Sequence, residues 1–358
     1  MTDTSFPVPS SDPTGAPGPD AAPNLASPAP GSPDVAPRPA GVDPARSVRV
    51  SVPDDRWLDL WASDGLQCPL QSAPEIQVWD FESELPDPAP SFVVLPYMGP
   101  APLRRLAEVP GLQVAQVLSA GYDHVLRWLP AGVTLCNARG VHDAATAELA
   151  VGLVLASLRG IGEAVRDAST ATWAPQVRLS LADRRVLLVG AGSVGSAIAA
   201  RLAPFEVTVT RVGRTARVDE HGPVHAVDEL PALLPRHDVV VLACPLTPET
   251  RDLVDARFLA AMPDGALLVN VARGAVVDTD ALVAELERER LFAALDVTRP
   301  EPLPCGHPLW RAPQVLITPH VGGNTSAFPP RGRALLRDQL QRYARGLPLR
   351  NVVAGPAR

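Results

Sequence analysis

There is no lysine in these 358 residues; all 32 basic side chains are arginine. That absence excludes Schiff-base chemistry, attachment of pyridoxal phosphate and a P-loop of the Gly-Lys-Ser/Thr form. Arginine does not deprotonate in a protein, so it serves as an anion clamp and never as a general base. Cysteine is scarce too. Cys68, Cys136, Cys244 and Cys305 stand far apart with no CxxC pair, which suits neither a disulfide framework nor a structural zinc site, and no metal is expected. No apolar run approaches the ~18 residues of a membrane span, and the N-terminus lacks the basic and apolar regions of a secretory signal. A formal net charge of −7 argues against nucleic acid as a partner. The expectation is a cytoplasmic protein with no membrane or nucleic-acid partner, long enough for two domains.

Proline is the residue in excess. Residues 1–46 hold 12 of the 41 prolines, four glycines and one aromatic, Phe6. Such a stretch cannot bury enough apolar surface to offset its ordering entropy, so 1–46 reads as a disordered tail with polyproline II character. From Val48 onward short apolar runs alternate with helical patterns: Val48–Val52, Phe92–Leu95, Leu112–Leu118, Val133–Cys136, Val186–Val189, Val207–Val212, Val239–Ala243, Leu267–Val271, Leu291–Val297 and Val315–Thr318. Most have no strict polar alternation, the signature of parallel strands buried on both faces. Regular strand–helix alternation predicts an α/β fold, and so many strands predict two doubly wound parallel-sheet units. A long helix is expected from Ala144 to Arg166, with Val151, Val154, Leu158, Ile161 and Val165 on one face. Another is expected from Ala334 to Tyr343.

The run Val186–Val189 leads directly into Gly190-Ala-Gly192-Ser193-Val194-Gly195 and then a helical pattern. Between a strand and a helix, GxGxxG is a dinucleotide fingerprint. The first glycine allows the turn, the second lets the pyrophosphate approach the backbone, and the third packs helix on strand. A site for NAD places an acid about 20 residues on, at the end of the second strand, to hold the ribose hydroxyl. Here that strand ends Val212-Gly213-Arg214 and the first acid is Asp219. NADP(H) is therefore favoured, with NAD(H) the alternative. Gly213 would open the space and Arg214 would meet the 2′-phosphate, with Arg211 or Arg217 assisting.

Three polar residues stand just beyond later strands, where open α/β sheets bind ligands: Arg273, Glu301 and His320. An arginine fork binds a carboxylate and polarises the carbonyl beside it. A histidine, whose ordinary titration falls near neutrality, can give a proton to that carbonyl oxygen as hydride reaches carbon. A carboxylate orients the imidazole and stabilises its charged form. Together they suit hydride transfer to a 2-oxo acid. His124 and His142 are expected to be structural, and His221, His225 and His237 to lie on loops.

From about Leu95 to Thr325 the chain resembles the D-isomer-specific 2-hydroxyacid dehydrogenase family. The stretches that carry the resemblance are Leu118–Asp123, Thr146–Ala150, the glycine loop, Leu246–Thr250, Asn270–Gly274, Ala294–Val297 with Pro300–Leu303, His307–Trp310 and Thr318–His320. The resemblance implies Arg273, Glu301 and His320 as the catalytic trio. It implies the Ala120-Gly121 backbone, with Arg273, as receiver of the substrate carboxylate. It also implies cofactor contacts from Thr146, Ser193, Val194, Cys244, Pro245, Val271, Ala272, Asp296 and Gly322. The implied architecture is a flavodoxin-like substrate-binding domain over 47–145, completed by 323–358, clasping a Rossmann NAD(P)-binding domain over 146–322, in a homodimer. Formate dehydrogenases carry glutamine where Glu301 stands, which disfavours that branch. The run Asp296–Pro304 and the Gly213-Arg214 pair look most like glyoxylate/hydroxypyruvate reductases, with a small 2-oxo or 2-hydroxy acid as substrate. Tyr122 departs from the smaller residues common beside the substrate glycine. The alternative function is a dinucleotide-sensing regulatory protein of the same fold, without turnover.

Overall fold

The structure, a computed structural model, describes residues 48–61, 74–97 and 101–356. The expected proline-rich tail and Cys68 lie outside the described residues. In chain order the strands and helices are β1 (Arg49–Val52), β2 (Glu75–Val78), β3 (Phe92–Val94), β4 (Val114–Gln116), β5 (Thr134–Cys136), α1 (Asp143–Leu158), α2 (Ile161–Ser169), β6 (Arg185–Val189), α3 (Ser193–Leu202), β7 (Thr208–Gly213), β8 (Arg217–Asp219) and β9 (Gly222–Ala226). They continue with α4 (Leu230–Leu233), β10 (Val239–Leu242), α5 (Ala256–Ala261), β11 (Leu267–Asn270), α6 (Thr279–Glu287), β12 (Phe292–Leu295), β13 (Val315–Ile317), α7 (Phe328–Ala344) and β14 (Val352–Ala354).

Among the described residues these strands form two sheets. The first runs β14-β5-β4-β3-β1-β2, a flavodoxin-like parallel order with β14 antiparallel against β5. The second runs β13-β12-β11-β10-β6-β7-β9-β8. Its strand order reverses between β6 and β10, the switch point at which doubly wound sheets bind ligands. Both are buried on two faces, which is why their strands read as continuous apolar runs. In the second sheet Leu187, Val240, Leu242 and Leu268 feed one core, while their neighbours Val186, Leu188, Val239, Val241 and Val269 feed the other. In the first, Val94 and Val114 face one core, and Val93 and Ala115 the other.

The last segment of the chain belongs to the first sheet, and buried amides hold it there. Gln339 on α7 donates from Nε2 to Gln116 Oε1 on β4 (2.9 Å) and to the Arg350 carbonyl (3.0 Å). Its Oε1 accepts from the Arg350 amide at 2.8 Å. A buried amide whose donors and acceptor are all engaged fixes one register, because any slip strands a polar group in the core.

Two helices and four strands differ from the sequence expectation. The helix expected over 144–166 breaks at Gly160, whose φ of +62° is left-handed, and α1 and α2 meet at 65°. Val151, Val154 and Leu158 stay buried, whereas Ile161 and Val165 turn outward. The C-terminal helix starts earlier, at Phe328, because Pro329 and Pro330 occupy its first turn, where no intrahelical N–H is required. Strands β2, β8, β9 and β14 were not expected; they are edge or hairpin strands with little apolar pattern. Among the described residues, no single helix is long and apolar enough to cross a membrane.

Candidate active site

Neighbouring parallel strands lie about 4.8 Å apart, so β11, β12 and β13 bring whatever follows them to one edge of the sheet. Each is followed by one of the three predicted residues. Beyond β11, buried Asn270 turns the chain: its Oδ1 accepts from the Ala272 amide (3.0 Å) and its Nδ2 donates to the Arg273 carbonyl (3.0 Å). Arg273 then reaches across to the first sheet. Its Nη1 donates to the Ala272 carbonyl (2.8 Å) and its Nε to Asp123 Oδ1 (3.2 Å).

His320 is held by Asp296, which follows β12 and is buried. One carboxylate oxygen accepts from Thr318 Oγ1 (2.7 Å) and the Val321 amide (2.9 Å), the other from the Gly322 amide (2.9 Å). The Asp296 carbonyl accepts from the His320 amide at 2.8 Å. This turn keeps His320 at φ +52°, a region that costs a non-glycine residue on the order of 1–3 kcal/mol and persists only where surroundings enforce it. The imidazole Nδ1–H donates to Glu301 Oε1, which leaves Nε2 as the other proton-carrying position. Burial works to raise the Glu301 carboxyl, but the hydrogen bond and charge of His320 outweigh it and hold the group below the usual carboxylate range.

Facing these residues is the loop after β4. The Ala120 carbonyl accepts from Asn137 Nδ2 (2.7 Å) and the Gly121 carbonyl from Ser119 Oγ (2.6 Å). In a trans peptide the N–H opposes the C=O, so the Gly121 amide points away from its Asn137 anchor. Arg273 lies directly on Gly121: a Cβ there would fall 1.3 Å from Nη2 and 2.3 Å from Cζ. The predicted carboxylate receivers, Ala120, Gly121 and Arg273, therefore meet across the two sheets. Tyr122 turns away and packs on the core behind the loop.

The dinucleotide fingerprint has the shape its glycines imply. Gly190, at φ +121°, would place a Cβ 2.5 Å from the Ala243 backbone, and a Cβ on Gly195 would fall 1.9 Å from the Gly190 carbonyl oxygen. Gly192 has nothing within 4 Å, so the side on which a pyrophosphate would arrive is open. Ser193 and Val194 begin α3, whose first amides and dipole suit an anion. The Gly190–Ala243 contact brings Cys244 and Pro245 to the loop. Burial pushes the Cys244 thiol up to about 11, so it is an apolar wall and not a nucleophile. Val271 and Ala272 are buried beside Arg273. Thr146 on α1 meets Gly322, where a Cβ would lie 3.5 Å from Thr146 Cγ2 and 3.0 Å from Asp296 Oδ2. Apart from Thr146, these residues follow the strand ends on either side of the switch point between β6 and β10, where a doubly wound sheet binds its ligand.

At the end of β7 the arginines divide. Arg211 is buried and bound to Asp219 (2.6 Å) and the Gly222 carbonyl (2.8 Å), which corrects the expectation that it assists a phosphate. Arg217 comes back on the β8–β9 hairpin. Its Nη2 donates to Ala191 O in the glycine loop (3.0 Å), and its Nη1 would lie 2.8 Å from a Cβ on Gly213. The space beside Gly213 is thus taken by Arg217. Arg214 is exposed; it adds to the hydrogen bond from Thr247 in keeping the Glu249 carboxyl low.

The histidines separate similarly. His142 is buried, its ring nitrogens 2.6 Å from the Leu118 carbonyl and 3.1 Å from the Gly323 carbonyl. It stacks on Tyr97 at 5.3 Å between ring centroids. His124 is exposed in a turn. His225 lies on β9 and pairs with Glu229. His237 is buried against Thr210 on the loop before β10, and His221 lies in the β8–β9 turn, both as expected; His225 alone departs from the loop expectation. Sequence reasoning gave no role to Asn270, Asp123 or Tyr97. Asn270 and Asp123 stand inside the matching stretches, and their types, amide and acid, were the available signal. Tyr97 carried none; burial pushes its phenol up to about 12, with Arg273 and Asp296 both within electrostatic reach.

Comparison with known proteins agrees with this geometry. Residues 151–322 match the family described as D-isomer specific 2-hydroxyacid dehydrogenase, NAD binding domain. A human glyoxylate reductase/hydroxypyruvate reductase is 34% identical over 69% of this chain and 79% of its own length. The chain belongs to the D-isomer-specific 2-hydroxyacid dehydrogenase family. Two solved structures show the same fold. The D-isomer-specific 2-hydroxyacid dehydrogenase of Xanthobacter autotrophicus Py2, in complex with NADPH and MES, is 29% identical, covers 87% of this chain and 98% of its own, and has a TM-score of 0.74. An NADPH-dependent glyoxylate/hydroxypyruvate reductase of Sinorhizobium meliloti, in complex with NADP and malonate, is 26% identical, covers 86% of this chain and 97% of its own, and has a TM-score of 0.71. As a D-2-hydroxyacid dehydrogenase the protein is an oxidoreductase that uses a nicotinamide dinucleotide, and the sensor-only reading is set aside.

Proposed function

We propose that the protein reduces a small 2-oxo acid of the glyoxylate and hydroxypyruvate type to the D-2-hydroxy acid, with NADPH as the preferred reductant. The observation that carries this reading is the convergence of Arg273 and the Glu301–His320 pair on one sheet edge, opposite the Gly121 loop and beside the glycine-loop cleft. The Gly190–Gly195 loop, Cys244, Pro245, Asp296 and Gly322 would hold a reduced nicotinamide dinucleotide, which would supply the hydride. Arg273 binds the substrate carboxylate and polarises the adjoining carbonyl. His320 gives the proton at Nε2 to the carbonyl oxygen, and Glu301 holds the ring through Nδ1 and balances its charge. The human and Sinorhizobium relatives, by their names, support the substrate class.

Preference for NADPH is supported by the end of β7, which offers Gly213 and two arginines in place of an acid, while Asp219 is occupied by Arg211. A homodimer is supported by an apolar arm. Ile161, Val165, Trp173, Val177 and Leu179 are exposed on one 19-residue segment, Trp173 at 93% and Val177 at 103%, and a second copy covering it removes that surface from water.

The test is oxidation of NADPH and of NADH across glyoxylate, hydroxypyruvate, pyruvate and bulkier 2-oxo acids. Turnover of the two small acids with a higher kcat/KM for NADPH is expected, and His320→Ala and Arg273→Ala each lose well over ~10²-fold. No turnover with any of these acids sinks the substrate reading; equal or better use of NADH sinks the coenzyme reading.

A further inference from the structure

The substrate side of the cleft holds an acid that a site for anionic substrates has no evident need of. Asp123 lies two residues beyond Gly121, on the loop after β4, and accepts from Arg273 Nε at 3.2 Å. A carboxylate in that position repels an incoming carboxylate, so it is there for something it does to Arg273. The other contacts of the guanidinium show what that is. Nη1 is fixed to the Ala272 carbonyl at 2.8 Å and Nε to Asp123, two anchors at separate corners of one rigid plane. With both in place, Nη2 is set over the Gly121 backbone, the point at which the loop and the arginine meet. The anchors come from different sheets, Ala272 from the end of β11 and Asp123 from the loop after β4, so the orientation of the plane depends on the two facing each other.

We propose that Asp123 is a positioning residue: by holding Arg273 through Nε, it fixes the guanidinium plane so that Nη2 and the outer edge of Nη1 face the carboxylate and carbonyl of the substrate. This rests on the reading of Arg273 as the substrate clamp. An arginine side chain has roughly 2 kcal/mol of rotamer freedom, and the Nε bond removes part of it before the substrate arrives. The requirement is for an acceptor at this point and not for a charge. Asp123→Asn keeps the oxygen, whereas Asp123→Ala removes it.

The experiment compares wild type, Asp123→Asn and Asp123→Ala in three measurements: NADPH affinity, kcat and KM for the best 2-oxo acid, and affinity of the NADPH-loaded protein for oxamate, a 2-oxo acid isostere that is not reduced. Expected for Asp123→Ala are unchanged NADPH affinity, kcat lower by about 10- to 100-fold and oxamate binding weaker by roughly tenfold. Expected for Asp123→Asn are a kcat within about threefold of wild type and a KM no higher, since the acceptor stays and the repulsion goes. The proposal is overturned by wild-type kcat in Asp123→Ala, by tighter oxamate binding in that variant, or by equal impairment of both variants at unchanged NADPH affinity. Should wild type turn over no 2-oxo acid, the functional reading falls, while the oxamate measurements still decide the role of Asp123; a wild type that binds no oxamate overturns both.

Discussion

Gly121→Ala adds a single methyl group, and the structure says where it goes. Gly121 has no positive φ, so alanine carries no backbone strain and the effect is steric alone. The added Cβ would stand 1.3 Å from Arg273 Nη2, 2.3 Å from Cζ and 3.0 Å from Nε. Ordinary carbon–nitrogen contact needs about 3.5 Å, so the guanidinium must retreat by roughly 2 Å and loosen from Asp123 as it does. A misplacement of about 1 Å at a catalytic group can cost 10²-fold, so kcat/KM should fall by about 10²-fold or more, equivalent to about 2.7 kcal/mol of transition-state stabilisation. Stability should hardly change, because the displaced group is the end of a flexible, part-exposed side chain, and such substitutions stay within about 0.5 kcal/mol. The assay is NADPH oxidation followed by absorbance, with thermal unfolding and NADPH binding as controls on the same preparation. Wild-type kcat/KM in a folded Gly121→Ala protein would refute the placement of Arg273 on this loop, and with it the proposed carboxylate site.

The Glu301 carboxyl is held below the usual range, so its stabilising effect is full above the ordinary carboxylate value of about 4.3 and is lost as pH falls through the lower folded value. Melting temperatures of wild type and Glu301→Gln should therefore converge in acid, below about pH 4; curves that stay parallel down to pH 3 contradict the ion pair. Arg217→Ala should weaken NADPH binding by about tenfold or more, the worth of a charge-assisted hydrogen bond, and leave NADH binding unchanged; equal losses for the two coenzymes place Arg217 outside phosphate recognition. Trp173→Glu with Val177→Glu should convert a dimer to a monomer by light scattering, and a monomeric wild type at micromolar concentration removes the arm as an interface.

The elements that were legible in the sequence are those in which a local pattern and the tertiary environment make the same demand. β6, β10 and β11 are buried on two faces, so burial alone writes their continuous runs of Val and Leu. The Gly190–Gly195 loop is legible because two close approaches, of Gly190 to the Ala243 backbone and of Gly195 to the Gly190 carbonyl, each tolerate only glycine. Where the demand is not local, the pattern is silent. β14 is short and half-buried, and what seats it is pairing with β5 more than 200 residues earlier, with Gln339 bound to Gln116 and to Arg350 just before the strand. The break at Gly160 was hidden because the apolar spacing continues through Ile161 and Val165 on to exposed surface, so the pattern outruns the burial of the helix.

The site follows the same division. Arg273, Glu301 and His320 could be found one at a time, each by its place after a strand, because the order β11-β12-β13 in the sheet is also the order in the chain. Asp123 could not, since its function depends on a residue 150 positions later on the other sheet. Arg211 and Arg217 show the converse: the same residue type on two strands consecutive in the chain was given one role, and only the β8–β9 hairpin decides between them. It folds Asp219 back to bury the charge of Arg211, and in the same turn carries Arg217 to the glycine loop. Arg211 is buried with its guanidinium on Asp219 and the Gly222 carbonyl, whereas Arg217 is exposed, bonded to the Ala191 carbonyl with Asp219 at 3.8 Å, and has donors to spare for a phosphate. On the proposed NADPH reading it is the hairpin's geometry, and not the number of arginines near β7, that leaves Arg217 to meet a 2′-phosphate.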